Sequence, residues 1–560
     1  MVVFNDQEEE RRLEFLRKRE EEELAQVLSR KYGVEYVDLS LVAVNTDALR
    51  VIPEAQARAV EAAAFGRVGK RLALAVRAPE NPKVKGLVQE LSNQGYEVTL
   101  YMCSQESLKR AYQRYADLSY ATQSKAGVFE ISPAEVEELL EKVKGLTDIG
   151  RLIEEAIELK KTYRITRILE VILAGGLSTG ASDIHFEPEE KQVRLRYRLD
   201  GVLVDVLTFD YETYQLLLSR LKLLSGLKLN ITDEAQDGRF SIKIKGDEIE
   251  MRTSVLPGNY AETFVLRILN PQSIGVPLEE LGLEDKLRMR VEKEIDKPNG
   301  MILTTGPTGS GKTTTLYAFL RKVNEPGTKI ITIEDPVEYH LEGIVQTQVD
   351  KKSYTFANGL RSALRQDPDI IMVGEIRDAE VAQTAINAAL TGHLVFSTLH
   401  TNDAAGSFPR LIDLGVDEKV LSSAINAALA QRLVRKLCPD CKQQRSATPQ
   451  EQDMINRILS GVVDRALVPQ ETNKVWAAHE GGCAACGGRG YKGRIGIFEA
   501  VFMDQKIEEI LRTKPSEREI AQAAKAQGIP TMTQDGVIKV IKGITSLEEL
   551  GRVVDLNATI

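Results

Sequence analysis

The chain is poor in cysteine and histidine and has no long apolar run. Five cysteines among 560 residues exclude the dense disulfide framework of a small secreted protein. No apolar stretch approaches the ~18 residues that a membrane-spanning helix needs. The start, Met1-Val2-Val3-Phe4-Asn5-Asp6, runs straight into acid and lacks the basic flank and apolar segment of a secretory signal, so a cytoplasmic protein is expected. Positive charge is not in excess either. With 73 basic and 82 acidic residues the net charge is -9, so a globally basic nucleic-acid surface is not expected, although a local patch fits inside that sum. What is present is ordinary globular material, 43% hydrophobic and 28% charged, which excludes a wholly disordered chain. At roughly 150 residues per domain the length predicts three or four domains.

The pattern changes along the chain. Residues 6–31 are charge-rich, with Leu13, Leu16, Leu24, Val27 and Leu28 at helical spacing. That reads as a solvated amphipathic helix or as a coiled-coil or partner-docking helix. A small α/β domain is expected next, to about residue 123, with strands at Tyr36–Leu39, Arg71–Val76 and Val98–Tyr101 and helices at Pro53–Ala64 and Lys83–Asn93. Cys103 reads as core filler there. Residues 124–160 read as linker helices, with a Ser132-Pro133-Ala134-Glu135 start of cap, first-turn proline and third-position acid. Residues 161–275 alternate a helix (Ile165–Leu177), strands such as Val193–Arg198, a second helix (Tyr214–Ser225) and further strands, which predicts an α+β domain with an antiparallel sheet. From 276 to 560 short continuous apolar strands alternate with helices: Met301–Leu303, Ile330–Ile333, Ile370–Val373 and Leu394–Phe396. Such strands belong to a parallel sheet covered on both faces.

Gly306-Pro307-Thr308-Gly309-Ser310-Gly311-Lys312-Thr313 matches the phosphate-binding loop at every fixed position. An apolar strand precedes it and a helical stretch from Thr314 follows. Glycines there let backbone N–H groups wrap a phosphate, and the helix N-terminus adds a favourable dipole. Lys312 is placed to reach the β- and γ-phosphates of a nucleotide, and the Thr313 hydroxyl to bind Mg²⁺. The strand Ile370–Val373 ends in Gly374-Glu375, a carboxylate where Mg²⁺ or water positioning needs one. Ile333-Glu334-Asp335-Pro336-Val337-Glu338 brings three acids to a strand's carboxyl end, where open parallel sheets bind ligands. Taken alone, that segment is also a solvated turn closed by Pro336. His393 and His400 bracket a strand. Each reads equally as a satisfied polar residue or as a hydrogen-bond donor to a γ-phosphate.

Four of the five cysteines form Cys438-Pro439-Asp440-Cys441 and Cys483-Ala484-Ala485-Cys486. Two C-x₂-C pairs suit tetrahedral Zn²⁺, and four thiolates leave no open position for catalysis. The 41 residues between them exceed the ~15–20 of a compact ribbon, so the insertion, about 436–495, is expected to fold as its own excursion, with Gly481-Gly482 and Gly487-Gly488 permitting the turns.

Together these segments resemble the secretion ATPase superfamily of type II secretion and type IV pilus assembly (GspE/PilB-like). The matching residues are Gly306–Thr313, Ile333–Tyr339, Asp367–Asp378 and Thr391–Asp403, with Ala181–Pro188 and Gln236-Asp237-Gly238-Arg239 upstream. The resemblance implies a RecA-like phosphate-loop core preceded by a PAS-like domain, assembled as a homo-hexamer. It implies that Glu338 is the general base for the attacking water, that Glu375 is the second carboxylate near Mg²⁺, and that Arg252 and Arg267 approach the nucleotide phosphates, with His400 in the histidine box. A planar cation there neutralises charge on the transferring phosphoryl group. The implied partners are an inner-membrane platform protein and pilus or secretion machinery, reached by a cytoplasmic ring peripheral to the membrane. The cysteine module and Gly490–Ile497 look most like the pilus-extension type, with type II secretion the alternative. No Arg-Leu-Gly-led segment precedes residue 40, so cyclic di-GMP binding is not expected and the N-terminal domain is read as partner-docking. A RecA-like nucleic-acid motor lacks support from an aromatic-basic strand-binding pattern, and intact Lys312, Glu338 and Glu375 argue against a silent nucleotide-binding scaffold.

Overall fold

The computed structural model describes residues 21–557, except 40–41, 43, 45, 50, 69, 118–122, 125–127, 131–138, 140–141, 144, 159–160, 245–246, 270–274 and 351–352. Residues 21–32 are helical; the earlier turns of the charged helix and the Ser132-Pro133-Ala134-Glu135 helix start lie outside the described residues. The chain forms two bodies, Met1–Ser132 with Ala156–Ile168, and Pro133–Glu155 with Leu169–Ile560.

The first body holds a four-stranded sheet in the order Glu35–Tyr36, Glu97–Met102, Arg71–Val76, Ala62–Val68. Asn81 and Ser104 cap its helices Pro82–Asn93 and Gln105–Gln113 through side-chain oxygens that accept first-turn N–H groups. The helix expected over Pro53–Ala64 covers only Glu54–Val60. Glu61 turns left-handed (φ 54°, ψ 50°) and its N–H closes on the carbonyls of Ala57 and Arg58. The alanines that follow then pair antiparallel with Arg71–Val76. Alanine favours helix in isolation, but Ala62, Ala63 and Ala64 are fully buried in the sheet, and packing overrides propensity.

The second body begins with six antiparallel strands in the order Gln236–Ile244, Asp247–Leu256, Thr263–Leu269, Asp183–Pro188, Val193–Leu199, Val202–Phe209. This is the expected α+β pattern. The helix Tyr211–Leu224 packs on the sheet, capped by Asp210. Its buried Lys222 pairs with buried Glu262 at 2.6 Å and donates to the carbonyl of Ile231 at 2.9 Å, tying down the segment that leads into Gln236–Arg239. A buried charge is tolerable only when paired in this way.

The remainder is a seven-stranded sheet ordered Val345–Gln348, Ile330–Glu334, Ile370–Val373, Leu394–Leu399, Gly300–Thr305, Ile425–Leu437, Tyr491–Phe502. All neighbours are parallel except the last pair. Met301, Leu303, Ile331, Ile333, Ile371 and Val373 fill one core, while Ile302, Ile330, Ile370 and Met372 fill the core on the opposite face. Helices cover both faces, which is why these strands read as unbroken apolar runs. The insertion between the cysteine pairs departs from the independent excursion expected of it. Its helix Pro449–Ser460 puts Ile455, Ile458 and Leu459 into the same core as Val537, Ile538, Val540 and Leu550, so it is part of the packing of the parallel-sheet domain.

Candidate nucleotide site

Four strands deliver chemistry at one edge of the parallel sheet. Gly300–Thr305 runs into the phosphate loop, whose residues lead into the helix Lys312–Val323. Gly306 adopts φ 141°, and a side-chain carbon there would stand 2.5 Å from the carbonyl oxygen of Gln431, so only glycine fits. Gln431, itself buried, donates to the carbonyl of Ser310 at 2.7 Å. It comes from the neighbouring strand Ile425–Leu437, and the sequence carried no motif that pointed to it. The Lys312 amine lies over the loop, donating to the carbonyls of Gly306 at 2.7 Å and Pro307 at 3.1 Å. Burial lowers its affinity for the proton, and Glu375 opposes that shift. Thr313 and Thr314 occupy the first turn of the following helix.

Glu375 leaves the strand Ile370–Val373 and is held from two sides. Arg377 pairs with one carboxylate oxygen at 2.5 Å, and His400 Nε2 lies 3.3 Å from the other. His400 therefore stands on the nucleotide edge. His393 does not: it precedes the amino end of Leu394–Leu399, with Nδ1 3.0 Å from the carbonyl oxygen of Ala388. The γ-phosphate reading of His393 falls for that reason.

Glu338 lies beyond the strand Ile330–Glu334 and meets Arg252 of the antiparallel sheet. Arg252 Nη1 is 3.1 Å from its carboxylate, and Nη2 donates to the carbonyl of Val337 at 2.8 Å. Arg252 also reaches Glu250 at 3.3 Å. Arg267 is placed differently: its Nε pairs with the buried Asp183 at 3.0 Å, a partner supplied by the Ala181–Pro188 segment. Both arginines, Asp183, Asp237, Arg239 and Glu338 line one cleft of about 800 Å³. The structure thus brings Arg252 to the acidic box directly, and Arg267 to the same cleft through Asp183.

The four cysteines also converge. All four sulfurs lie within 4.8 Å of one another, with Cys438–Cys483 at 3.7 Å, Cys441–Cys486 at 3.9 Å and Cys483–Cys486 at 3.8 Å. A tetrahedron with ~2.3 Å zinc–sulfur bonds has edges of about 3.8 Å, so this donor set fits that ion. Burial opposes a charge on Cys486, but N–H groups of Cys483 and Gly490 reach its sulfur at 3.1 and 3.2 Å and draw the thiol down to about 6. Arg489 joins the module to the antiparallel sheet. Its Nε donates to the carbonyl of Cys486 at 3.1 Å and its Nη1 pairs with Asp200 at 2.8 Å.

Comparison with known proteins gives the same picture. Residues 158–552 match the family described as type II/IV secretion system protein, and residues 32–122 match the MshEN domain. The chain is similar to the type II secretion system protein E of Pseudomonas aeruginosa, with 43% identity over 439 residues, 77% of this chain and 85% of that one. It is also similar to the type IV pilus assembly ATPase PilB of Myxococcus xanthus, with 36% identity over 533 residues, 95% of this chain and 91% of that one. Among solved structures, the Yersinia pseudotuberculosis ATPase DotB overlays with a TM-score of 0.52 at 19% identity, covering 70% of this chain and 94% of that one. That likeness concerns the fold alone.

The geometry of the loop makes a direct test available. Gly306→Ala is expected to weaken binding of a fluorescent ATP analogue at least about 10-fold, the scale of one clash or lost charge-assisted contact, whereas Gly86→Ala, on the helix Pro82–Asn93 with open space around it, should leave binding intact. Equal affinity of Gly306→Ala and the unaltered protein would show that the loop does not cradle the nucleotide.

Proposed function

The chain belongs to the family of type II/IV secretion system proteins, which are ATP-hydrolysing motors, and from that premise we propose the division of labour at its site and the machine it drives. ATP is the substrate. Lys312 binds its β- and γ-phosphates, and Gly306 to Thr314 wrap them. The Thr313 hydroxyl and Glu375 would hold Mg²⁺, which would neutralise phosphate charge. Glu338 takes the proton of the attacking water. Arg252 and Arg267 approach the transferring phosphoryl group from the antiparallel domain, and His400 steadies Glu375. The observation that supports this reading is the contact of Arg252 with Glu338 at 3.1 Å, which joins a cation of the antiparallel sheet to a carboxylate of the acidic box in one cleft.

In this reading six copies form a cytoplasmic ring, and hydrolysis moves the two domains as rigid bodies. A platform protein of the inner membrane receives the motion, and pilin-like subunits are added to a type IV pilus. The pilus ATPase matches along 95% of the chain and a type II secretion protein along 91%, so what supports the pilus is the likeness of the cysteine module and Gly490–Ile497 to the pilus-extension type. Type II secretion is the second reading, supported by the higher identity of 43% to a secretion protein. The N-terminal body would dock onto a partner. No helix among the described residues is long and apolar enough to cross a membrane, in keeping with attachment through partners.

Zn²⁺ on Cys438, Cys441, Cys483 and Cys486 would hold the turns that carry Arg489. Purified protein should then contain one zinc per chain. Stripping it with a thiol-reactive mercurial should lower the thermal midpoint and change the fluorescence of Trp476, the only tryptophan. Metal-free protein with four readily alkylated thiols and full stability would remove zinc from the account.

Two further outcomes test the proposal. Glu338→Gln should lower kcat by about 10²- to 10⁴-fold, the usual contribution of a general base, while ATP still binds; undiminished turnover would end the assignment of Glu338. In the native organism, a strain carrying Lys312→Ala should lose surface filaments under the electron microscope and keep its secreted-protein profile. The reverse pattern would assign the motor to type II secretion.

A further inference from the structure

The acidic box contains a second glutamate to which nothing above assigns work. Glu334 ends the strand Ile330–Glu334 and is only 3% exposed. Among the described residues no basic side chain pairs with it. Burial therefore raises its hold on a proton, against three hydrogen bonds that favour the charged form. An unpaired carboxyl at such depth is costly unless its hydrogen bonds are complete.

Those hydrogen bonds lead to particular places. The Tyr317 hydroxyl donates to Glu334, and Tyr317 is a fully buried residue of the helix that begins at the phosphate-loop lysine. Thr332 donates to the other carboxyl oxygen, and Gln346 Nε2 reaches the same oxygen at 3.2 Å. Gln346 then holds the loop that carries Glu338. Its Nε2 donates to the carbonyl of Tyr339 at 3.1 Å, and its Oε1 accepts from the N–H of Leu341 at 2.6 Å. The Tyr317 and Tyr339 rings lie 4.6 Å apart, and Arg321, one turn further along the same helix, donates to the Tyr339 hydroxyl at 3.0 Å.

We propose that Glu334 is a positioning residue for hydrolysis: by joining Tyr317 to Gln346 it fixes the loop of Glu338 to the helix that grips the phosphates. The distance between the base and the γ-phosphate is then set by hydrogen bonds that run from a buried carboxyl through a half-buried glutamine. The half-buried ion pair with Arg252 is not needed to set it. Glu338 itself sits three residues after Asp335 on a loop whose backbone is held on its far side at Tyr339 and Leu341 and on its near side by Arg252 at Val337. Releasing the Gln346 clamp frees the far side. A displacement of about 1 Å at the reacting atoms costs on the order of 10²-fold in rate without any loss of nucleotide contact.

This inference rests on the reading of Glu338 as the base, and the experiment separates the two. Steady-state turnover and binding of a non-hydrolysable ATP analogue are measured on the full chain for Gln346→Ala, Glu334→Ala and Glu334→Gln, each alone and combined with Glu338→Gln. Gln346→Ala and Glu334→Ala should lower kcat by about 10- to 100-fold with analogue affinity nearly unchanged. Glu334→Gln should recover most of the turnover, because an amide keeps an acceptor for Gln346 and a partner for Tyr317. On the Glu338→Gln background the same changes should cost little more, because residues that act through one group are not additive. Equal losses on both backgrounds, or a matching loss of analogue affinity, would overturn the positioning role. Gln346 is only half-buried, so if Glu334→Ala fails to fold, Gln346→Ala decides the matter, and full turnover in that variant also overturns it. Full turnover in Glu338→Gln would instead overturn the base assignment.

Discussion

The site depends on one packing constraint. The strands Ile330–Glu334, Ile370–Val373, Leu394–Leu399 and Gly300–Thr305 are buried along their whole length on both faces, because helices cover the sheet from either side. Interdigitated cores of this density do not slide by fractions of a residue. The register that pairs Ile333 with Val373, and Val373 with Ser397, therefore fixes the spacing of everything that follows those strands. Glu334, Glu375 and His400 emerge one after another along that edge, beside the loop that follows Thr305. Ionisable groups gather at that edge, because inside these strands the polar side chains are hydroxyls such as Thr332 and Ser397 that find partners within the core.

The antiparallel domain enters the same site by a different physical route. Its contribution is charge carried on strands. Arg252 lies opposite Arg267 in adjacent strands, a like-charge juxtaposition that is unfavourable unless each finds an anion. Each does, Arg252 in Glu338 and Arg267 in Asp183. Asp183 is buried and anchored to its own sheet, whereas Glu338 belongs to the motor core. One arginine is thus committed to its own domain and the other bridges to the next, so the two are not equivalent despite their symmetrical position.

Much of this could be read from the residues. The phosphate loop, the acid at the end of Ile370–Val373 and the paired cysteines are local in sequence, and the physics that demands them is local too: N–H groups around a phosphate, a carboxylate at a strand end, thiolates on tight turns. The misses have a common cause. Gln431 reaches the loop from a strand more than a hundred positions away. Gln346 gains its meaning only once Tyr317 and Tyr339 are packed beside it, and Asp200 only once Arg489 lies against it. A single glutamine or aspartate has no periodicity, so no sequence pattern marks it. The helix expected over Pro53–Ala64 failed for a related reason, since the partner strand that claims its alanines is not visible in the alanines themselves. Likewise the long gap between the cysteine pairs suggested a separate excursion, because the packing of Ile455 and Leu459 against the C-terminal helices is a long-range contact.

The two supports of the Glu338 loop differ in kind, and the difference bears on how a motor turns over. Arg252 and Glu338 keep about a quarter and a third of their side-chain surface exposed. Ion pairs so close to solvent are worth ~0–1 kcal/mol, so exchanging the carboxylate for a phosphate as the partner of Arg252 meets little resistance. In the other support Glu334 and Tyr317 are buried and Gln346 is half-buried beside them, and breaking a bond to the buried carboxyl would strand a polar group at a cost of about 1–3 kcal/mol. On the proposed mechanism, a loop held weakly by the antiparallel domain and more firmly by the phosphate-loop domain would keep its distance to the nucleotide while the domains shift. Chemistry would then be tied to the phosphate loop, and the easily exchanged arginine left to report the state of the site to the antiparallel domain.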